Sequence, residues 1–284
     1  MGRWRLVSAL ILPATAALRL VCGVPHVCAA ELGPLRPQTD GPGYTVADWR
    51  RDWPGCEYED GVTAGRVSIA RAEGIRWWRI TCAPGRIGPA EGGAGWRWRF
   101  TAKLLSSAEL EYRLFFEPGF QFVKGGKLPG LCGGPRTVSG GMSCSGYDGW
   151  SARLMWRREG RGEAYVYHAA NTNHYGESIP FSGDFRFPIG RPITVRMQVN
   201  MNDAERANGR VRVWVSDADG RMALVVDCDR LLLTKDRGIG VDSVLFEVFH
   251  GGADESWAPS EACSLRISDI RIRIPSAASA DGRR

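Results

Sequence analysis

The chain has 284 residues, with 37 Lys and Arg against 31 Asp and Glu, a formal charge of +6. That length allows one large β domain or two small ones, and no Pro/Gly/Ser-rich linker or internal repeat divides it. No phosphate-binding loop, dinucleotide fingerprint or metal-ligand spacing occurs, so no cofactor or metal is expected.

The N-terminus has a basic start at Arg3 and Arg5, an apolar run from Leu6 to Leu18, and small residues ending in Val27-Cys28-Ala29-Ala30. This pattern predicts a secretory signal peptide over residues 1–30, cleaved after Ala29 or Ala30. A spanning helix needs about 20 apolar residues, and Pro13 and Arg19 interrupt this run. The expected product is a secreted protein, extracellular or periplasmic, with no membrane attachment after cleavage. Residues 31–284 then form a single domain with its core over about 44–274, expected to act as a monomer. Export and the lack of any nucleic-acid motif argue against nucleic acid as a partner.

Of the eight cysteines, Cys22 and Cys28 leave with the signal peptide. The other six, Cys56, Cys82, Cys132, Cys144, Cys228 and Cys263, are an even number, which favours disulfides in an exported protein. Fifteen pairings are open; sequence order favours Cys56–Cys82, Cys132–Cys144 and Cys228–Cys263. None has C-x-x-C spacing, so a zinc site is not expected.

Period-two alternation dominates the rest. Strands are predicted at Trp77–Cys82, Trp96–Lys103 and Glu109–Phe116. The stretch from Phe116 through Lys124-Gly125-Gly126-Lys127-Leu128-Pro129-Gly130-Leu131 reads as a cationic turn displayed by the strand before it. From Trp150 to Trp156, Trp150, Ala152, Leu154 and Trp156 alternate with Ser151, Arg153 and Met155, and the first set is assigned to the core. A polar loop leads to a second strand in which Tyr165 and Tyr167 share a face. A hairpin centred on Gly160 pairs Arg157 with Glu163, Met155 with Tyr165 and Arg153 with Tyr167, so that Ser151, Arg153, Tyr165 and Tyr167 share one surface. Later, Ile193, Val195, Met197 and Val199, and then Val211, Val213 and Val215, mark half-buried strands, joined by a polar connection ending in Asn208-Gly209. Further strands are expected at Val244–His250 and Ser264–Ile274. Many short strands with Gly- and Pro-rich turns mean an all-β sandwich or barrel.

Between Lys124 and His168 seven Lys/Arg stand against three acids, a concentrated positive field that attracts polyanions. The K-G-G-K-L-P-G-L stretch, the S-x-R-x-M-W-R strand followed by Y-x-Y, and Phe246-Glu247-Val248-Phe249-His250-Gly251-Gly252 with Trp257 together resemble polysaccharide lyase family 14, over roughly Glu109 to Ile274. The resemblance implies a β jelly roll sandwich of antiparallel sheets. It also implies cleavage of an acidic polysaccharide, alginate or glucuronan, by β-elimination, with Lys127, Ser151, Arg153, Tyr165 and Tyr167 lining the cleft.

The residue types suit that chemistry. Arg153 can pair with a sugar carboxylate, Lys127 can add charge to the intermediate, and a tyrosine can carry protons, with Tyr167 the first choice and Tyr165 the second. Ser151 is assigned to orienting a sugar hydroxyl and Lys124 to a supporting charge. Asn173 and His174, in a polar segment after Tyr167, are placed at the cleft border. Cys132 and His250 depart from the family pattern: Cys132 points to a disulfide that shapes the cleft wall, and His250, in place of an aromatic, to altered substrate choice. A non-catalytic module that binds acidic carbohydrate on the same fold is the alternative. Glycoside hydrolysis needs two placed carboxylates, and no such pair stands out.

Overall fold

The computed structural model describes residues 19–20, 30–203 and 205–275. The expected signal peptide falls outside the described residues except for Arg19, Leu20 and Ala30. In chain order the strands are β1 (Arg19–Leu20), β2 (Ala30–Leu35), β3 (Val67–Ala72), β4 (Ile75–Cys82), β5 (Ala94–Arg99), β6 (Ser107–Phe116) and β7 (Gly125–Gly133). They continue with β8 (Trp150–Arg157), β9 (Gly162–Tyr167), β10 (Glu177–Pro180), β11 (Ile193–Asn200), β12 (Gly209–Ser216), β13 (Met222–Leu231), β14 (Ser243–His250) and β15 (Cys263–Ile274). One helix, α1 (Val46–Asp52), begins with a capping box in which Thr45 and Asp48 satisfy each other's backbone N–H, and it buries Trp49.

Among the described residues the named strands pair antiparallel and build two sheets, as expected of a jelly roll sandwich. One has the order β1-β2-β15-β6-β11-β12-β13, with β3 and β4 joined to it through β15; the other has the order β10-β9-β8-β7-β14-β5. The sequence explains the layering. Val195, Met197 and Val199 on β11 lie opposite Val215, Val213 and Val211 on β12, and all six side chains are buried against the facing sheet. Trp150, Ala152, Leu154 and Trp156 enter the same core, and Trp96 stacks on Phe246 with centroids 4.1 Å apart. Burying each such large apolar side chain contributes about 1.5–3 kcal/mol.

Several expectations change. β5 stops at Arg99, not Lys103, because its partner β14 begins at Ser243, which pairs with Arg99. The lysine stretch is not an exposed turn: Gly125–Gly133 is the central strand β7, buried throughout between β8 and β14. The β8–β9 hairpin pairs Met155 with Glu163, Arg153 with Tyr165 and Ser151 with Tyr167, two residues away from the predicted register. The turn centres on Glu159, which takes φ 58° beside Gly160 at φ 74°, so the pairing shifts while each residue keeps its face. The Arg157–Glu163 ion pair still forms, diagonally, at 2.7 Å.

The sequence-order disulfides are likewise not formed. All six described cysteines are free thiols. Strand order, not sequence order, decides their neighbours: β4 lies beside β15, so Cys82 faces Cys263. Cys144 donates its S–H to the Gly149 carbonyl instead of bonding to Cys132.

Candidate active site

The outward face of the six-stranded sheet carries a groove of about 610 Å³. Lys127, Arg153, Met155, Arg157, Tyr165 and Tyr167 form its floor; Ser139–Gly141 and Tyr175–Gly176 border it on one side, and Ile87–Pro89, Phe249, Gly251–Ala253 and Trp257 on the other. Positively charged groups on a floor of aromatic and sulfur side chains suit an acidic sugar chain.

The placement of Lys127 follows from an irregularity in β7. Its register shifts by one residue between Leu128 and Leu131 against β8, so both leucines enter the core although they stand three positions apart, which in a regular strand would put them on opposite faces. Pro129 and Gly130 occupy the bulge. The Pro129 carbonyl accepts a hydrogen bond from the Tyr112 hydroxyl of the opposite sheet at 3.2 Å. With Leu128 directed inward, Lys127 must face the groove, opposite Met155 on β8 and Phe249 on β14.

Lys127 is only 8% exposed. Its Nζ donates to Met155 Sδ at 2.7 Å and lies 3.2 Å from the centroid of the Tyr165 ring. Burial, reinforced by the Arg153 and Arg157 charges, holds its ammonium well below the usual lysine range. Burial also pushes the Tyr165 phenol up to about 12, with Tyr167 adding to the shift. Lys127 is therefore biased toward the free amine and Tyr165 toward the protonated phenol.

Arg153 is fully buried and its Nη1 forms an ion pair with Glu247 of β14. Its Nε and Nη2 have no hydrogen-bond partner, which leaves one edge of the guanidinium uncommitted. The Tyr167 ring sits 5.8 Å from the Arg153 guanidinium, and its oxygen accepts the Gly141 N–H at 3.1 Å. That contact leaves the phenolic proton free for another acceptor. Trp257 packs over Arg157 at 5.6 Å and closes one end.

Four of the sequence-assigned residues, Lys127, Arg153, Tyr165 and Tyr167, thus converge. Ser151 shares their sheet face, but its hydroxyl donates to the Val138 carbonyl at 2.6 Å and it is covered by that loop. Lys124 binds Ser256 and lines an adjoining depression with Arg157, Arg158 and Arg161. Asn173 and His174 lie on an exposed turn, His174 against Ser143 at 3.2 Å; their neighbours Tyr175 and Gly176 line the groove instead. His250 does not face the groove. Phe249 does, so the next side chain on the strand points between the sheets, where the His250 ring packs on Phe120 and Trp156. Burial lowers its pKa to about 4, so the ring is neutral, and its Nε2–H donates to the Gln121 carbonyl at 2.6 Å.

Sequence reasoning missed Glu247, although its parity with Phe249 in an apolar strand marks it as a groove-facing acid. It also missed Tyr58, whose hydroxyl approaches Glu247 at 3.5 Å; nothing in its local pattern signals this. Among the described residues, one cluster has metal-ligating character, Cys82, His250 and Cys263, and it lies outside the groove.

The sequence model described as polysaccharide lyase 14 matches residues 87–270, the greater part of the chain and all of the groove floor. Among solved structures, the chain is similar to the PL-14 alginate lyase from Aplysia kurodai, with 24% identity, a TM-score of 0.72, and coverage of 88% of this chain and 99% of that one. It is also similar to the alginate lyase vAL-1 from Chlorella virus, with 17% identity, a TM-score of 0.63, and coverage of 77% and 92%. A third is the endo-β-1,4-glucuronan lyase from Trichoderma reesei, with 14% identity, a TM-score of 0.51, and coverage of 77% and 91%. Among curated protein sequences none matches significantly. The structural likenesses establish the sandwich fold, and the match over residues 87–270 establishes the lineage: the chain belongs to polysaccharide lyase family 14.

Proposed function

We propose that this lyase cleaves a uronic-acid polysaccharide of the alginate or glucuronan type by β-elimination in the groove, as a secreted enzyme. The observation that carries the reading is the convergence of a buried lysine biased toward its amine, an arginine with an uncommitted edge and two tyrosines on one floor. The solved relatives named for alginate and for glucuronan support the class, since both polymers bear a carboxylate on each sugar. Export rests on the basic and apolar N-terminal pattern.

In this reading the side chains that cover Arg153 shift as substrate enters and the sugar carboxylate pairs with its unpartnered Nε and Nη2, where charge-assisted hydrogen bonds withdraw charge from the α-carbon. The Lys127 amine removes the C5 proton. As the electrons of that bond form the C4=C5 double bond, the C4–O4 bond breaks and a phenol protonates the leaving oxygen. Tyr165 fits this acid role through its raised pKa, and Tyr167 through the freedom of its proton. Transfer of a proton from the Lys127 ammonium to the phenolate restores the starting state. The approaching carboxylate also strengthens the base, because a negative charge nearby favours the ammonium form.

The test is ultraviolet absorbance of the unsaturated product on a panel of polyuronates. Growth of absorbance on at least one, lost in Tyr165→Phe or Tyr167→Phe, supports the mechanism. Absence on every polyuronate overturns it. The complete burial of Arg153 against Glu247 favours one rival, a groove that binds acidic carbohydrate without cleaving it. Salt-sensitive retention of a polyuronate with no chain shortening selects that rival.

A further inference from the structure

Three side chains far apart in sequence meet between the sheets. Cys82 ends β4, Cys263 starts β15 directly opposite it, and His250 ends β14 of the other sheet. Their donor atoms all lie within 4.8 Å of one another, and all three residues are buried. We infer that Cys82, Cys263 and His250 form a binding site for a soft metal ion of the zinc class, which staples the two sheets behind one end of the groove.

The donor set carries the argument. The His250 Nε2–H is committed to the Gln121 carbonyl, which fixes the tautomer and leaves Nδ1 with its lone pair. That Nδ1 is buried and has no hydrogen-bond partner. A carbonyl fixing the far nitrogen of a histidine is the usual outer support of a metal-bound imidazole.

Charge and distance fit as well. Binding a divalent ion releases the two thiol protons, so two thiolates and one Zn²⁺ are neutral together, as an interior site requires. Zn–S bonds of about 2.3 Å and Zn–N bonds of about 2.0 Å place donors roughly 3.5 Å apart, so closure from 4.8 Å needs a movement of about 1 Å. A disulfide between the two cysteines would leave the buried His250 Nδ1 without a partner.

The site would also act on the groove. The neighbours of His250, Phe249 and Gly251, line it, and Gln121 belongs to the segment that enters β7. A metal there fixes β4, β15, β14 and this segment together.

The experiment uses the full chain, purified without chelator from zinc-supplemented culture. Elemental analysis should find about one zinc per chain, with Cys82 and Cys263 protected from alkylation until a chelator is added. The reduced, metal-free protein should take up one equivalent of Co²⁺ with a thiolate-to-cobalt charge-transfer band, and its melting temperature should rise with zinc. His250→Phe, which restores an aromatic ring, should weaken zinc binding at least tenfold, and Cys263→Ser should abolish the band. If Cys263→Ser does not fold, the cobalt titration of the unsubstituted chain still decides. A peptide pair joined through Cys82 and Cys263 with no metal overturns the inference, as do free thiols that take up neither ion.

Discussion

Lys127 shows at the level of one residue how burial sets both reactivity and cost. Its amine is surrounded by Met155, the Tyr165 ring and the Arg153 charge, so the folded chain disfavours a proton that the unfolded chain accepts. The folded pKa is therefore the lower one, and between it and the ordinary lysine value the unfolded state binds more protons. Stability consequently falls as pH drops through that window and is flat below it. Lys127→Met keeps the stem and removes the titration. The expected result is a loss of lyase activity of about 10²–10⁴-fold together with a gain of about 0.5–2 kcal/mol. That gain should grow as pH is lowered from alkaline toward neutral, and denaturant melts across pH measure it. In the unsubstituted enzyme, activity should rise with pH as the amine is freed and fail as Tyr165 ionises near 12. A variant that keeps activity would remove Lys127 from the base role.

At the scale of the element, β7 does more than carry the lysine. Two leucines enter the core only because Pro129 and Gly130 insert the extra residue, and a Cβ on Gly130 would lie 2.0 Å from the Ala152 carbonyl oxygen. Since that contact is with backbone, β8 itself must move. Gly130→Ala should destabilise by about 1–3 kcal/mol and misalign Lys127 against Met155, so activity falls more than stability alone accounts for. Tyr112→Phe, which strips the Pro129 carbonyl of its donor, should cost about 1–3 kcal/mol while leaving the groove chemistry in place. Paired melts and initial rates separate the two. This element was also the least legible in the sequence. β11 and β12 declare themselves through strict alternation, which a half-buried strand must show, and β8, though buried, alternates because Arg153, Met155 and Arg157 on one of its faces form the groove floor. β7 is buried on both faces and rich in glycine and proline, so it carries no period and imitates a turn; only the family resemblance marked Lys127. The tyrosine, serine and arginine faces were legible because a two-residue slip preserves parity, even though the turn centre was misplaced by one. His250 was misplaced for the converse reason. Its motif drew it to the cleft, whereas its parity with Phe249 directs it to the core.

Across the whole molecule, ion pairing differs between the outer surfaces of the two sheets. On the outer face of the nine-stranded sheet, Arg196, Arg271 and Arg273 are matched by Glu31, Glu109 and Glu111 in a continuous ion-pair ladder. The groove end is different. Lys124, Arg157, Arg158 and Arg161 cluster beside Trp257 with Glu159 as the one acid lining that depression, and Arg161 reaches Glu159 only at 3.9 Å between exposed side chains, a contact of small worth. An approaching polyanion therefore meets a cluster of weakly compensated cations at the groove end. Fields of this kind act over the Debye length, about 10 Å at 0.1 M salt and about 3 Å at 1 M. Raising salt between these limits should increase KM for a polyuronate several-fold and change kcat little, because the groups on the floor are buried and screened less. Replacing Arg158 and Arg161 together by Ser, well away from the reacting atoms, should raise KM at low salt and flatten its salt dependence, again with kcat nearly constant. Initial rates of absorbance growth at a series of ionic strengths give both constants. A KM indifferent to salt, or a kcat that collapses in the double variant, would show that these arginines do not act by long-range capture.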